Sequence, residues 1–218
     1  MLGLAFLAAS DQFIMMSMAQ ILQIPVARPI FEREIANRMY SVSAYYLAST
    51  LASLFVFFLY PIFTAVISYW YFGFESPDWP GCLDWMATLG LMSFVGSLWG
   101  FSFGTFFRNE MNALQFNLVF ILIFNLGAGH VANIGEGVNY FAKFISTVSP
   151  VRYGTEMLMS RIVKGTPAEK IVLLNLGYTC GDQYCIVVLL GTCLLLFLVG
   201  WANLLRQNPG SKKAFFTH

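Results

Sequence analysis

The sequence is poor in charge. Of its 218 residues only 12 are Lys or Arg and 11 are Asp or Glu, about half the share usual in a water-soluble domain. A chain of this length with so little polar cover cannot solvate the outside of a core, which excludes a soluble globular enzyme and a disordered acidic tail. Neither sign of charge dominates. A net charge of +1 gives no surface for tracking phosphates, so a nucleic-acid binder is excluded as well. Histidine is limited to His130 and His218, and haem ligation by a histidine pair within the bundle is not expected. The four cysteines lack the paired spacing and nearby histidines of a zinc site. The patterns G-x-x-x-x-G-K-[ST] and H-E-x-x-H are missing, so no phosphate loop or metalloprotease helix is in view. The expectation is a chain with no catalytic residues, metal or cofactor of its own.

What the sequence has in plenty is hydrocarbon. Hydrophobic residues make up 58% and aromatics 17%, and the mean hydropathy is +0.67. Residues 2–27 carry a single charge, Asp11, and 39–74, 85–107, 111–135 and 183–205 carry none. Each run exceeds the ~20 residues a helix needs to cross a ~30 Å hydrocarbon core. Barrel strands would instead read as ~10-residue alternating segments. The fold class is therefore an all-α integral membrane protein with five transmembrane helices. The expected boundaries are a helix over 1–27, an interfacial segment over 28–44 and helices over 45–74, 84–107 and 111–135. An outer segment over 136–182, a helix over 183–206 and a tail over 207–218 complete the order.

Basic residues orient the bundle. Arg28, Arg33, Arg38, Arg108, Arg206, Lys212 and Lys213 crowd the short segments on one side. On the other side Lys143, Arg152, Arg161, Lys164 and Lys170 are spread over much longer stretches, and the 75–84 loop has only Glu75, Asp78 and Asp84. The positive-inside rule puts the first set in the cytoplasm, or its equivalent at an organelle, without choosing between plasma and organelle membranes. Five spans leave the two termini on opposite sides. Met1 runs directly into apolar sequence with no basic n-region, so either a further helix upstream or a gene product cut down from a longer ancestor is expected. Cys180 and Cys185 fall near the non-cytoplasmic side, where they can form a disulfide or remain two thiols beside a helix start. Cys82 lies on that side too, and Cys193 inside the last run.

Local patterns mark four features. Arg28–Tyr46 mixes charge with aromatics, as expected of an interfacial helix that a soluble partner can push or of a plain linker. Gly96, Gly100 and Gly104 recur every four residues, with Ser93 and Ser97 beside them, and make a groove for a second helix. Asn125 and His130 flank a glycine-rich helix end. Val138, Phe141, Phe144, Ile145 and Val148 then follow at helical spacing up to Pro150, as in a short re-entrant or interfacial helix. Asp11 is an ionisable group inside an apolar run, a feature that points to a cavity or a partner contact. Phe13, Phe116, Phe120 and Phe124 form an aromatic stripe that suits either a cavity wall or core packing.

Two blocks carry a family resemblance. Arg28-Pro-Ile-Phe-Glu-Arg-Glu34, followed by Met39-Tyr40-Ser and Ser43-Ala-Tyr-Tyr-Leu47, resembles an E-R-P-x-F-x-R-E, M-Y-S, A-Y-Y-L run, with Ala27 in place of the first Glu. Ser149-Pro-Val-Arg-Tyr-Gly154 with Glu156 resembles an S-P-x-R-Y-G segment. Both belong to the membrane domain of the G-type (white and pleiotropic-drug-resistance) ATP-binding-cassette exporters, the ABC-2 fold. The resemblance implies that these five helices are the second to sixth of six, with the first helix and the nucleotide-binding domain outside this sequence. It implies a coupling segment containing Arg28, Phe31, Glu32, Arg33, Glu34, Arg38 and Tyr40, and an outer re-entrant cap over 136–182. It implies a substrate cavity between the second and fifth family helices of two protomers, lined by Asp11, Gln12 and Phe13 and by Phe120, Phe124 and Asn125. ATP and Mg would sit on a partner nucleotide-binding subunit or domain. Beside the lipid bilayer, the implied partners are that ATPase and a second protomer or a larger membrane complex. The expected function is the transmembrane part of an ATP-driven exporter of lipids or amphipathic compounds. The alternatives are a transport-inactive structural subunit recruited into a larger complex and, with no charged ring to support it, a passive channel.

Overall fold

The structure is a computed structural model, and it describes residues 2–71, 79–107, 109–129, 140–163, 177–178 and 181–207. Among them there is no strand, and the helices are α1 (Leu2–Ala36), α2 (Val42–Tyr71), α3 (Trp79–Phe106), α4 (Glu110–Gly127), α5 (Tyr140–Val148), α6 (Pro150–Val163) and α7 (Asp182–Gln207). Five of these, α1 to α4 and α7, are long and apolar enough to cross a membrane. The chain runs up and down. Arg28 near the C-terminal end of α1 reaches the end of α3, and Trp201 near the end of α7 donates to the Ser43 hydroxyl at the start of α2 (3.1 Å). One end of the bundle therefore gathers Arg28, Arg33, Arg38 and Arg206. At the other end Asp84, near the start of α3, pairs with Arg161 of α6 (2.9 Å).

The interfacial segment expected over 28–44 is not a separate piece. The first helix continues through it to Ala36 and, at ~1.5 Å per residue, its 35 residues reach about 52 Å. That is well beyond the ~30 Å hydrocarbon core, so its last turns carry Arg28, Glu32, Arg33 and Glu34 out of the apolar zone. A membrane edge changes which side chains are tolerated without ending a helix, and Pro25 and Pro29 lie inside this one. Ala36 to Ser41 then forms the turn. The Ser41 hydroxyl accepts from the Ala44 amide (3.2 Å), an N-terminal cap that starts α2 at Val42, three residues before the expected 45. Asn109 caps α4 in the same way by accepting from the Met111 amide (3.2 Å).

At the centre lies α3, the most buried span, while α2 is the most peripheral. Its glycines determine that arrangement. A Cβ on Gly96 would stand 2.6 Å from the Phe13 carbonyl oxygen, and one on Gly100 2.8 Å from the Ser17 Cα. The backbone of α1 thus lies directly in the Gly96/Gly100/Gly104 groove, with Ile24 over Gly104. Close backbone approach is how helices gain dispersion contacts where no hydrophobic drive exists.

The outer segment supplies two helices. The short α5 leaves Phe141, Phe144 and Val148 exposed, as a helix in an interface does. By contrast α6 is nearly fully buried from Pro150 to Met159, and the Ser-Pro-Val-Arg-Tyr-Gly block explains how. The Ser149 hydroxyl donates to the Phe124 carbonyl (2.8 Å), and Pro150 opens the helix, where its missing N–H costs nothing. Arg152 donates to the Gly177 carbonyl (3.0 Å) and Tyr153 to the Thr147 carbonyl (2.8 Å). Gly154 lets α6 press onto Met92 of α3.

Candidate functional site

The basic end of the bundle has a small core of its own. Phe31, Val42, Tyr46, Phe101 and Leu204 are buried there, drawn from α1, α2, α3 and α7. Aromatic contacts join them: Phe31 meets Tyr45 (ring centroids 4.5 Å), and Tyr46 meets both Phe101 (4.9 Å) and Phe197 (4.7 Å). The Tyr46 hydroxyl also donates to the Phe197 carbonyl (2.9 Å). Arg28 adds a polar tie. Its Nη2 donates to the carbonyls of Gly104 (3.2 Å), Thr105 (3.4 Å) and Phe107 (3.2 Å), where α3 ends. A guanidinium at a helix C-terminus meets both orphan carbonyls and the negative end of the dipole. A small cavity of about 80 Å³ lies beside it, bordered by Gln20, Ser49 and Thr105.

The other residues expected in a coupling segment surround the turn. Tyr40 donates to the Glu34 carboxylate and stacks on Tyr45 (5.9 Å). Desolvation first, then that hydrogen bond, pushes the Tyr40 phenol up to about 12. Arg38 adopts a left-handed backbone (φ 55°), the conformation that closes a helix with a reversed residue. Glu32, Arg33 and Arg38 are exposed. Phe31 and Arg28 thus hold the segment to the bundle, while Glu32, Arg33 and Arg38 face outward from it.

The expected cavity residues do not share one open chamber. Gln12 and Phe13 are buried in the protomer's own core. Gln12 donates to Thr64 of α2 (2.7 Å) and accepts from Ser93 of α3 (2.7 Å). Phe13 packs edge-on to Phe124 (6.0 Å), itself buried, with Trp99 against both. Phe120 lies half-buried against Trp99 (5.7 Å). Asn125 is half-buried, and its Oδ1 has no hydrogen-bond donor among the described residues. Of the six, Asp11 and Gln12 line an open groove walled by α1 and α2 with Leu89 of α3. Residues that the one-dimensional pattern did not point to complete these networks. Tyr60 donates to Asp11 (2.9 Å), and Asn117 donates to Ser17 (3.3 Å) while accepting from Trp99 (3.0 Å).

Cys82 and Cys193 are buried thiols and Cys185 is buried at the start of α7. Cys180 and His130 lie outside the described residues, and the expected Cys180–Cys185 bridge with them. Among the described residues no group of three His, Cys, Asp or Glu comes together as a metal site would need.

A long first helix lies in the glycine groove of α3, a charged turn is tied to the end of α3, and α6 is buried against the bundle. The profile of the ABC-2 type transporter family matches residues 1–163. The chain belongs to that family. It is an integral, multi-pass membrane protein carrying an ABC-2 membrane domain. Similar proteins include the ABC transporter ATP-binding protein/permease wht-1 of Caenorhabditis elegans, 28% identical over 156 residues. Protein white of Ceratitis capitata is 28% identical over 160 residues. Either match takes in 72% of this chain but 23% of the relative, so the chain spans under a quarter of the length of the proteins it resembles.

Proposed function

We propose that this chain forms the translocation path of an ATP-driven exporter of lipids or amphipathic compounds. The arrangement at Arg28 carries the reading. One side chain joins the charged, outward-facing end of α1 to the C-terminus of α3, so a push on Glu32, Arg33 or Arg38 would move two packed spans together. The ATPase that pushes is a separate subunit or a domain outside this sequence. The name of the wht-1 relative, an ATP-binding protein and permease, supports that division of labour. The apolar character of the spans supports an amphipathic cargo that partitions into the bilayer.

The test is purification of the native protein in mild detergent, with mass spectrometry of everything that accompanies it. A stoichiometric nucleotide-binding subunit, or contiguous peptides carrying a phosphate loop, is the expected result, together with nucleotide-dependent transport after reconstitution. An intact assembly with no ATPase and no such transport would sink the proposal and leave the fold as a scaffold inside a larger complex.

A further inference from the structure

The family resemblance implies Asp11 in a substrate cavity between α1 and α4, but the groove that Asp11 lines is walled by α1, α2 and Leu89 of α3, with no residue of α4. Its volume is about 540 Å³, and its walls are Leu4, Leu7, Ile14, Ile67 and Leu89, with Tyr71 at its outer end. Tyr71 belongs with Trp70 and Trp79 (ring centroids 5.8 Å for the two tryptophans), aromatics of the kind that settle at a membrane interface. Asp11 lies further in, within the candidate span.

The polar groups around the groove are satisfied within the protein, except for one. The Ser10 hydroxyl donates to the Leu7 carbonyl (3.1 Å). Thr64 donates back into its own helix and accepts from Gln12. Ser68 donates to Ala65 and accepts from the Trp85 indole (3.0 Å). Asp11 accepts the Tyr60 hydroxyl on Oδ2, whereas a carboxylate has about four acceptor positions across two oxygens. Among the described residues no Lys, Arg or His pairs with it. An acid in an apolar setting without a basic partner is costly unless a cation completes it. One carboxylate with no second ligand among the described residues is a poor cage for a bare metal ion, which needs several.

We propose that the α1–α2 groove binds an amphipathic organic cation, with its ammonium on Asp11 and its apolar body along Leu4, Leu7 and Ile67 towards Tyr71. Tyr60 positions the carboxylate. The site goes beyond the exporter reading and stands without it, because binding requires neither an ATPase nor transport.

The test uses the full chain in lipid nanodiscs with dansylcadaverine, a fluorophore on a five-carbon amine, and with its neutral N-acetyl derivative. The amine is expected to bind at least about tenfold tighter than the acetyl form, the difference a single modest ion pair makes. Asp11→Asn should remove that tenfold preference while leaving the weak binding of the acetyl form unchanged. Leu7→Trp, which fills the apolar wall, should weaken both. On the unaltered protein, dodecylammonium should displace the probe and dodecanol should not, a reading that needs no variant to fold. Equal binding of the two probes, an Asp11→Asn variant within about twofold of the original for the amine, or no binding of either probe would each overturn the proposal. The last result would leave the groove to a helix of a second copy or of another subunit. Failure here with ATP-driven transport intact separates this site from the exporter function, and the reverse outcome does so equally.

Discussion

At the scale of the residue, the glycines of α3 differ in what they tolerate, and the difference is measurable. A Cβ at Gly100 would stand 2.8 Å from the Ser17 Cα and 2.9 Å from its carbonyl carbon. Backbone cannot swing aside, so α1 would have to move. Gly104 faces the Ile24 side chain, whose far end can turn, and Gly90 has nothing within 4 Å. Gly100→Ala is therefore expected to lose about 1–3 kcal/mol of stability, the usual range for overpacking. Gly104→Ala should lose less, and Gly90→Ala should be neutral or gain up to about 1 kcal/mol from helix propensity. Buried Cys82 and Cys193 provide the readout, since a thiol-reactive dye labels them as the bundle opens on heating. If all three variants opened at one temperature, close backbone packing would not be what the glycines provide.

At the scale of the element, the turn between α1 and α2 is held by a phenol. Tyr40 donates to Glu34 and stacks on Tyr45, and its ionisation is pushed from the ordinary 10.0 to about 12. A group whose ionisation is raised by folding contributes stability that is complete below its ordinary value and is lost as pH climbs through the raised one. The turn should hold unchanged up to about pH 10 and loosen between there and about pH 12. Tyrosinate absorbance gives the check: Tyr40→Phe should delete one late-ionising phenol from the titration of the folded protein. A variant that instead lost a phenol ionising near 10 would remove the clamp. The same turn shows where the sequence was legible and where it was not. Charge-free runs located the five spans because the cost of a charge in hydrocarbon is local and visible residue by residue. The continuation of α1 to Ala36 was not visible in that way, since charges at 28–34 stop the apolar run without stopping the helix. Tyr60, 49 residues from Asp11, was invisible for another reason. A hydrogen bond across two antiparallel spans has no fixed spacing in the chain.

At the scale of the whole molecule, the two ends of the bundle are built differently, and that asymmetry suits a device moved from one side. The outer end is clamped at several points: Ser149 on α4, Arg152 on Gly177, Tyr178 on the Ala128 carbonyl, and Arg161 beside Asp84. Asp84 is largely exposed, so that ion pair alone is worth at most about 1 kcal/mol. The end is held by several such ties rather than by that pair alone. At the basic end a small aromatic core and Arg28 connect α1 to α3, with the exposed charged turn beyond them. If an ATPase drives this chain, force entering at 32–38 must pass through that connection to reach α3. Arg28→Ala would remove the contacts to three carbonyls and leave exposed Glu32, Arg33 and Arg38 available to the partner. In the ATPase-bearing assembly the expected result is retained binding and ATP hydrolysis within about twofold, with transport reduced about tenfold or more, a loss near 1.4 kcal/mol in the coupled step. Arg28→Lys keeps the charge at the helix end but not the planar fork, and should fall between the two. Parallel loss of hydrolysis and transport would instead place Arg28 at the partner's docking surface, and unchanged transport would show that α1 and α3 move together through the glycine groove alone.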